Sequence, residues 1–176
     1  MTDSNKKNKI HVFNDFLNPE DFKIIQDLLL GDSFPWYFNE GIVYPDEDNS
    51  DYFQFTHVFF SDICNFSSYF EILSPILMRL KPVSLLRIKS NLLTKTEKNI
   101  EHGYHIDFPH LKDKKNQQFT TAIFYINTND GYTKFKDGNI VKSVENRLVM
   151  FDSKVPHTGS SCTNEKSRVV INFNYF

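Results

Sequence analysis

The alternation of hydrophobic and polar positions divides the chain into a helix-bearing first part and a strand-rich second part. A helix is predicted to begin at Asn18, a favoured N-cap, because Pro19 after it is tolerated in the first helical turn. It should run through Leu30 and stop at Gly31, since glycine commonly follows the last helical residue. The pattern therefore places one amphipathic helix near the N-terminus.

Two more elements are predicted before residue 83. Tyr52 to Phe60 is rich in aromatic and β-branched residues and indicates a strand. A second helix is expected from Phe66 to Leu80, with a kink at Pro75 and an end imposed by Pro82.

From residue 83 onward, short alternating segments separated by polar or glycine-containing turns predict β structure throughout. The expected strands cover 83–93, 101–106, 118–127, 131–136, 139–143, 147–152 and 167–175. Helices followed by many short strands indicate a mainly β fold with supporting α structure, a sandwich or barrel whose helices buttress one sheet. A length of 176 residues suits one domain. We expect its helical half to reach about residue 82 and its β core to follow.

The last predicted strand has one polar and one apolar face. Arg168, Val170, Asn172 and Asn174 share one side, while Val169, Ile171, Phe173 and Tyr175 share the other. The segment 118–127 offers a comparable face with Thr121, Ile123, Tyr125 and Asn127. These polar faces either meet solvent or line a cavity inside the barrel, and parity alone leaves both readings open.

Composition and charge narrow the function classes. Aromatic residues make up 15% of the chain, which favours β structure, although an AT-rich genome explains the abundance of Phe equally well. A net charge of −2 shows no electrostatic footprint for nucleic acid. Cys64 and Cys162 lack a short spacing, so a reduced, cytoplasmic protein is expected. No segment has the apolar length of a membrane span, and we expect neither a membrane nor a nucleic-acid partner.

The candidate chemistry lies in His105, Asp107 and His157. The side chains of His105 and Asp107 point the same way on an extended segment, because they are two residues apart. A third ligand from the distant His157 would complete a set of two histidines and one carboxylate, which suits non-haem Fe(II) with open positions. Arg168, downstream on a strand, could hold a carboxylate that enters the open face.

Other interpretations of these histidines remain open. A His-x-Asp triplet arises readily by chance in a chain with six histidines. His102 and His110 flank the triplet, and His102 with His105 could bind a different metal. Metal-assisted hydrolysis would add a base such as Glu101. The two earlier histidines, His11 and His57, are expected to be structural.

The stretch from about Leu85 to Phe176 resembles the catalytic core of the Fe(II)/2-oxoglutarate-dependent oxygenases, most of all the prolyl 4-hydroxylase branch. The matching segments are Tyr-His-Ile-Asp at 104–107, Thr-Ala-Ile-Phe-Tyr-Ile-Asn at 121–127, Asp-Gly-Tyr-Thr-Lys-Phe at 130–135, Asn-Arg-Leu-Val-Met-Phe at 146–151, Pro-His at 156–157 and Arg-Val-Val-Ile at 168–171. Two positions depart from the family pattern. Tyr132 follows Gly131 where a second glycine is usual, and Arg168 replaces the lysine of collagen-type prolyl hydroxylases.

The resemblance implies a double-stranded β-helix, or jelly roll, and an activity. His105, Asp107 and His157 would hold Fe(II). Arg168 would bind the far carboxylate of 2-oxoglutarate and Tyr125 would donate a further hydrogen bond to it. Asn91 is a further candidate for contact with 2-oxoglutarate. The implied reaction is hydroxylation of a substrate by dioxygen, coupled to decarboxylation of 2-oxoglutarate to succinate, with ascorbate as a candidate reductant.

The remaining alternatives concern function and substrate. A non-oxidative, cupin-like metal protein or an inactive binding module would keep the β architecture without needing Arg168 or Tyr125. Without the resemblance, Arg168 would be a surface partner of Glu165 and Tyr125 a core residue. The segment 112–118 is either a lid or a hairpin loop, and the aromatic run 34–38 either contacts substrate or packs in the core. Peptidyl proline, a free amino acid and another small metabolite all stay open as substrates.

Overall fold

The computed structural model describes residues 9–42, 52–61, 67–109 and 119–176. In chain order these residues form β1 (His11–Phe13), α1 (Pro19–Leu30), β2 (Tyr37–Asn39), β3 (Gln54–Ser61), α2 (Ser74–Leu80), β4 (Leu85–Thr94), β5 (Thr120–Tyr125), β6 (Tyr132–Phe135), β7 (Ile140–Lys142), β8 (Arg147–Asp152), β9 (His157–Gly159) and β10 (Ser167–Tyr175). Helix α1 and strands β8 and β10 have the predicted bounds. Cys64, His110 and the segment 112–118 lie outside the described residues.

Helix α1 forms for the reasons that its sequence gives. The side chain of Asn18 accepts a hydrogen bond from the backbone N–H of Asp21, and Pro19 occupies the first turn. Phe22, Ile25 and Leu29 form its buried face, so the helix is held mainly by packing against the sheet beneath it.

The second helix differs from its prediction. A 3-10 turn covers Phe70–Leu73, and α2 begins only at Ser74. Pro75 therefore lies in the first turn of α2 and starts a helix instead of kinking one, because its missing N–H has no partner there in any case. The helix ends before Pro82, with Lys81 in the left-handed conformation at φ 50°.

The strands of the described residues form two antiparallel sheets. The larger has seven strands in the order β1-β8-β5-β10-β4-β3-β2, and the smaller has three in the order β7-β6-β9. The N-terminal part of the chain thus supplies three strands of the larger sheet, two of which, β1 and β2, were not predicted. No helix in the described part of the chain is long and apolar enough to cross a membrane.

The two faces of β10 have the division that parity predicts. Val169, Ile171, Phe173 and Tyr175 join the hydrophobic core formed with the helices. On the other face, Arg168, Val170 and Asn172 line a pocket between the sheets. The polar face of the last strand therefore lines a cavity inside the barrel and does not face solvent.

The predicted strand over 101–106 is wrong. Only isolated bridges occur there, between Glu101 and Ser160 and between His105 and His157. Gly103, with a φ of 20°, lies between the two bridges and interrupts the extended backbone that a strand needs. The backbone of His105 is consequently held by a single bridge to β9.

Candidate metal and co-substrate site

His105 and His157 are placed by their own backbones. The N–H of each donates to the carbonyl oxygen of the other, with both N···O distances at 3.0 Å. Their ring centroids lie 4.7 Å apart. The two histidines that are 52 positions apart in the chain are therefore neighbours by strand pairing alone.

Both imidazole rings are oriented by backbone carbonyls. Nδ1 of His105 lies 3.3 Å from the oxygen of Gly103, and Nδ1 of His157 lies 3.1 Å from that of Val155. When Nδ1 carries the proton and donates to these oxygens, Nε2 is the lone-pair nitrogen, as in metal-binding histidines. Burial and the nearby charge of His157 lower the pKa of His105 to about 4, so its ring is neutral near pH 7.

Asp107 is held by three side chains from the larger sheet. Its Oδ2 accepts hydrogen bonds from Asn174 Nδ2 at 2.7 Å and from Thr121 Oγ1 at 3.0 Å, while Arg87 Nη2 lies 3.3 Å from Oδ1. Burial opposes ionisation of this carboxyl group. Electrostatic interactions with His157, Arg87 and His105 and the hydrogen bond from Asn174 outweigh burial and lower the pKa of Asp107 to about 2, so it is ionised near pH 7.

The three residues fit one metal ion. Their ligand atoms all lie within 4.8 Å of one another, near enough for all three to bind the same ion. Two imidazoles and one carboxylate are a donor set that Fe(II) accepts with positions left open. The predicted ligand set is therefore brought together in space.

The competing residues are not brought together in this way. His102 lies outside the cluster of potential metal ligands in the described residues. The carboxylate of Glu101 is on the surface, where it accepts hydrogen bonds from Lys134 Nζ and the Tyr132 hydroxyl. His57 is buried between the Pro35 carbonyl and the Ser67 hydroxyl, as a structural histidine, and His11 is exposed on β1.

Arg168 is buried at the opposite end of the same pocket, with 4% of its surface exposed. Its Nε donates to Ser143 Oγ at 2.7 Å and its Nη2 to Thr133 Oγ1 at 3.2 Å. Among the described residues, no hydrogen bond involves Nη1. The guanidinium is thus fixed on one side and keeps donors for a ligand on the other, and it does not pair with Glu165.

Gly131 makes room for this arginine. A Cβ at Gly131 would lie 2.6 Å from Cδ of Arg168 and 2.9 Å from the carbonyl oxygen of Ser161. No side chain fits without displacing the stem of Arg168, so the glycine of the 130–135 motif has a steric role in the pocket.

Tyr125 is fully buried, and its hydroxyl donates to Thr133 Oγ1 at 2.8 Å. Thr133 therefore accepts from both Tyr125 and Arg168. A hydroxyl that accepts twice still has one proton to donate, and Thr133 lines the pocket. Thr133 is thus a second candidate to donate the hydrogen bond that was predicted from Tyr125 to the carboxylate of 2-oxoglutarate. In the structure the Tyr125 hydroxyl donates to Thr133.

Three further polar side chains line the pocket. Asn91 lines it and donates to Gln54 Oε1 at 2.8 Å. His102 lines it beside Arg168, and both of its ring nitrogens are buried without a hydrogen-bond partner among the residues that the structure describes. Burial lowers the pKa of His102 to about 4. Lys89 projects from the same face of β4 as Asn91, and burial lowers the pKa of Lys89 to about 8.

Several of these groups were missed from the sequence. Arg87, Lys89 and Asn91 alternate along one strand, so parity could have placed the first two in the pocket once Asn91 was considered. The contacts of Thr121 and Asn174 with Asp107 depend on the registration of β5 against β10, which has no local signature.

Residues 92–176 match the family model described as the 2OG-Fe(II) oxygenase superfamily. No curated protein sequence matches the chain significantly.

The fold is shared with solved oxygenase structures. A prolyl hydroxylase from Trichoplax adhaerens, in complex with a peptide fragment of the hypoxia inducible factor oxygen degradation domain, is 16% identical with a TM-score of 0.67, over 97% of this chain and 84% of that one. The viral collagen prolyl hydroxylase from Paramecium Bursaria Chlorella virus-1 is 12% identical with a TM-score of 0.61, over 94% of each chain.

A third similar structure has a different printed ligand. HygX from Streptomyces hygroscopicus, with nickel, 2-oxoglutarate and hygromycin B bound, is 11% identical with a TM-score of 0.60, over 96% of this chain and 82% of that one. At identities this low, the structural similarity shows the fold alone. That fold is the predicted jelly roll buttressed by helices.

Proposed function

We propose that this chain, whose residues 92–176 match the family model of the 2OG-Fe(II) oxygenase superfamily, hydroxylates an organic substrate at the site formed by His105, Asp107 and His157. The enzyme is a dioxygenase that uses Fe(II) and 2-oxoglutarate. One observation carries the assignment of its site: a cluster of two histidines and one carboxylate shares a single pocket with a buried arginine that keeps free donors.

The reaction divides between the metal and the protein. When bound, Fe(II) supplies the redox chemistry by which dioxygen and 2-oxoglutarate are converted to succinate, carbon dioxide and one oxygen atom for a substrate C–H bond. The protein's side chains contribute binding, orientation and the exclusion of water, and each contribution can be assigned to described residues.

Arg168 and Thr133 bind the far carboxylate of 2-oxoglutarate in this proposal. A buried guanidinium with a free edge matches the two oxygens of a carboxylate, and such a pair is strong because water does not compete for it. The Thr133 hydroxyl adds one donor, and Tyr125 and Ser143 keep these two groups in place.

The ligand end is organised before any metal is present. The carbonyls of Gly103 and Val155 fix the two rings, and Thr121 and Asn174 fix Asp107. Leu93, Ile123 and Val170 line the space between the two ends with apolar surface. Such a wall limits water near the reacting atoms and strengthens the electrostatic interactions there.

Binding of the co-substrate tests the site without requiring a known substrate. Calorimetric titration of 2-oxoglutarate into Co(II)-loaded protein should give a saturable signal that His105→Ala and Asp107→Ala abolish. His11→Ala is the matched control, because His11 is exposed on β1 and distant in the sheet order from β4. Retention of Co(II)-dependent binding in His105→Ala would contradict the ligand assignment.

Turnover tests the reaction class. Protein with Fe(II) and 2-oxoglutarate should release succinate slowly without substrate and faster with one, and the substrate should gain the mass of one oxygen atom. Peptidyl proline and small molecules are both to be screened. Faster succinate release accompanied by a substrate change other than a gain of one oxygen would replace hydroxylation with another oxidation.

A further inference from the structure

Strand β4 presents two cations to the pocket. Arg87, Lys89, Asn91 and Leu93 alternate along the strand and all four line the cavity. Together with Arg168 at the other end, three positively charged side chains therefore face one enclosed space.

Two of these cations are already engaged. Arg87 contacts the carboxylate of Asp107 and also donates to Asn174 Oδ1 at 3.2 Å. Arg168 is bound by Ser143 and Thr133 and takes the far carboxylate of 2-oxoglutarate in the proposed function. Neither of these two cations is therefore available to bind a substrate in addition to the metal ligands and 2-oxoglutarate.

Lys89 differs from both. Within the described ranges, its ammonium group has no hydrogen bond and no ion pair, although it is partly buried. It is close enough to Asp107 and His105 for its charge to act on both. An unpaired, partly buried ammonium has an electrostatic cost that an anion beside it would offset.

The sum of the charges in the pocket also favours the binding of an anion. Asp107 is the only carboxylate among the described lining residues, against the three cations. A divalent metal adds two positive charges, and 2-oxoglutarate cancels only those two. The loaded pocket therefore keeps an excess of two positive charges before substrate enters.

We propose that the substrate carries an anionic group, a carboxylate or a phosphate, which Lys89 binds beside the metal ligands. This inference rests on the proposed function, because it needs 2-oxoglutarate to occupy the Arg168 end. Two sources of the anion are compatible with the pocket: the terminal group of a small acid and the acidic side chain of a peptide.

Matched pairs of probes test the charge requirement. The first pair is a mixture of N-acetyl amino acids (proline, leucine, lysine and phenylalanine) against their carboxamides. The second pair is a capped tetrapeptide with Asp against the same peptide with Asn, and the third is a capped phosphoserine peptide against its serine form. Binding is measured by calorimetry on protein saturated with Co(II) and 2-oxoglutarate, and hydroxylation is measured by mass on the Fe(II) protein.

We expect at least one anionic member to bind roughly tenfold or more tightly than its neutral partner, the size of effect that a desolvated charge pair gives. Lys89→Met should remove the preference and leave the affinity for 2-oxoglutarate unchanged. Lys89→Arg should retain the preference, and Lys142→Met, at an exposed lysine of β7, should behave as wild type.

Three outcomes would overturn the proposal. The first is that the neutral members bind as tightly as the anionic ones, and the second is that no anionic member binds the loaded protein. The third is that Lys89→Met weakens the binding of 2-oxoglutarate as strongly as Arg168→Met does. The last result would assign Lys89 to the co-substrate. Failure of the wild-type protein to bind 2-oxoglutarate at all is a separate result and refutes the proposed function itself.

Discussion

Substituting Gly131 by alanine displaces the buried Arg168 side chain without changing the amino acid at position 168. The new Cβ would lie 2.6 Å from Arg168 Cδ, whereas ordinary contacts begin at 3.4 Å. The Asn129 Oδ1 atom would lie 2.8 Å away and the Ser161 carbonyl oxygen 2.9 Å away, so both are too close as well. Because Arg168 Cδ is the nearest of the three and belongs to a side chain, the arginine stem has to shift along with its neighbours.

A shift of several tenths of an ångström disturbs the Arg168 hydrogen bonds, one of which is already 3.2 Å long. Losing one charge-assisted hydrogen bond to the co-substrate costs about 1.5–3 kcal/mol. The dissociation constant of 2-oxoglutarate should accordingly rise roughly 10- to 150-fold. Overpacking should also lower the free energy of unfolding by about 1–3 kcal/mol.

Gly138→Ala is the matched control. A Cβ there has no neighbour within 4 Å, but the φ of 91° makes the substitution strained. Both variants should therefore lose stability, measured by urea denaturation, while only Gly131→Ala should lose affinity for 2-oxoglutarate, measured by calorimetry on Co(II)-loaded protein. Wild-type affinity in a destabilised Gly131→Ala would refute the steric link between this glycine and the co-substrate.

Three further predictions concern the metal, the pH dependence and the first helix. Thr121→Val removes a donor to Asp107 and should weaken Co(II) binding by roughly 10- to 100-fold, while Thr120→Val on the other face of β5 should not; equal Co(II) affinities by competition titration would contradict this. The pKa of His102 is about 4 in the fold and 6.5 in the reference state, so the unfolded chain binds the proton first and stability is lost as the pH falls from 6.5 towards 4. His102→Phe should make that loss smaller in urea denaturation at pH 7 and pH 4.5, and an unchanged loss would exclude His102 as its source. Asn18→Ala should lower the free energy of unfolding by about 1 kcal/mol through loss of the α1 cap, whereas a thermal midpoint equal to wild type would show that the cap is dispensable.

The sequence predicts elements whose signals are local and long enough to read. Helix α1 has its cap and its glycine stop, and β10 alternates over nine residues, so both were predicted with their observed bounds. Strands β1 and β2 have three residues each, too few to show alternation, and they exist only because β8 and β3 offer them a partner. Their formation is decided by tertiary contacts.

The site divides in the same way. The spacing of His105 and Asp107 indicates a shared metal ion, because parity acts over two residues. The residue pattern added His157 as a third ligand and Arg168 as a partner for a carboxylate, and the resemblance implied that the metal is Fe(II) and the carboxylate that of 2-oxoglutarate. By contrast, the sequence says nothing of Thr121 and Asn174 meeting at one carboxylate oxygen, since that contact depends on strand registration. The Thr133 hydroxyl between Tyr125 and Arg168 is hidden for the same reason.

The paired backbones of His105 and His157 have a consequence for how the metal comes and goes. Two backbone hydrogen bonds keep the histidines together, so the fold does not depend on a metal ion to bring them into contact. In a zinc finger, removing the metal unfolds the chain, because binding free energy and folding free energy are the same quantity. Here a chelator should remove the metal and leave the protein folded, so that a metal ion can bind again without refolding of the chain. Which ion occupies it is then set by supply in the surroundings as well as by affinity, and the protein can be inactivated reversibly by metal exchange alone.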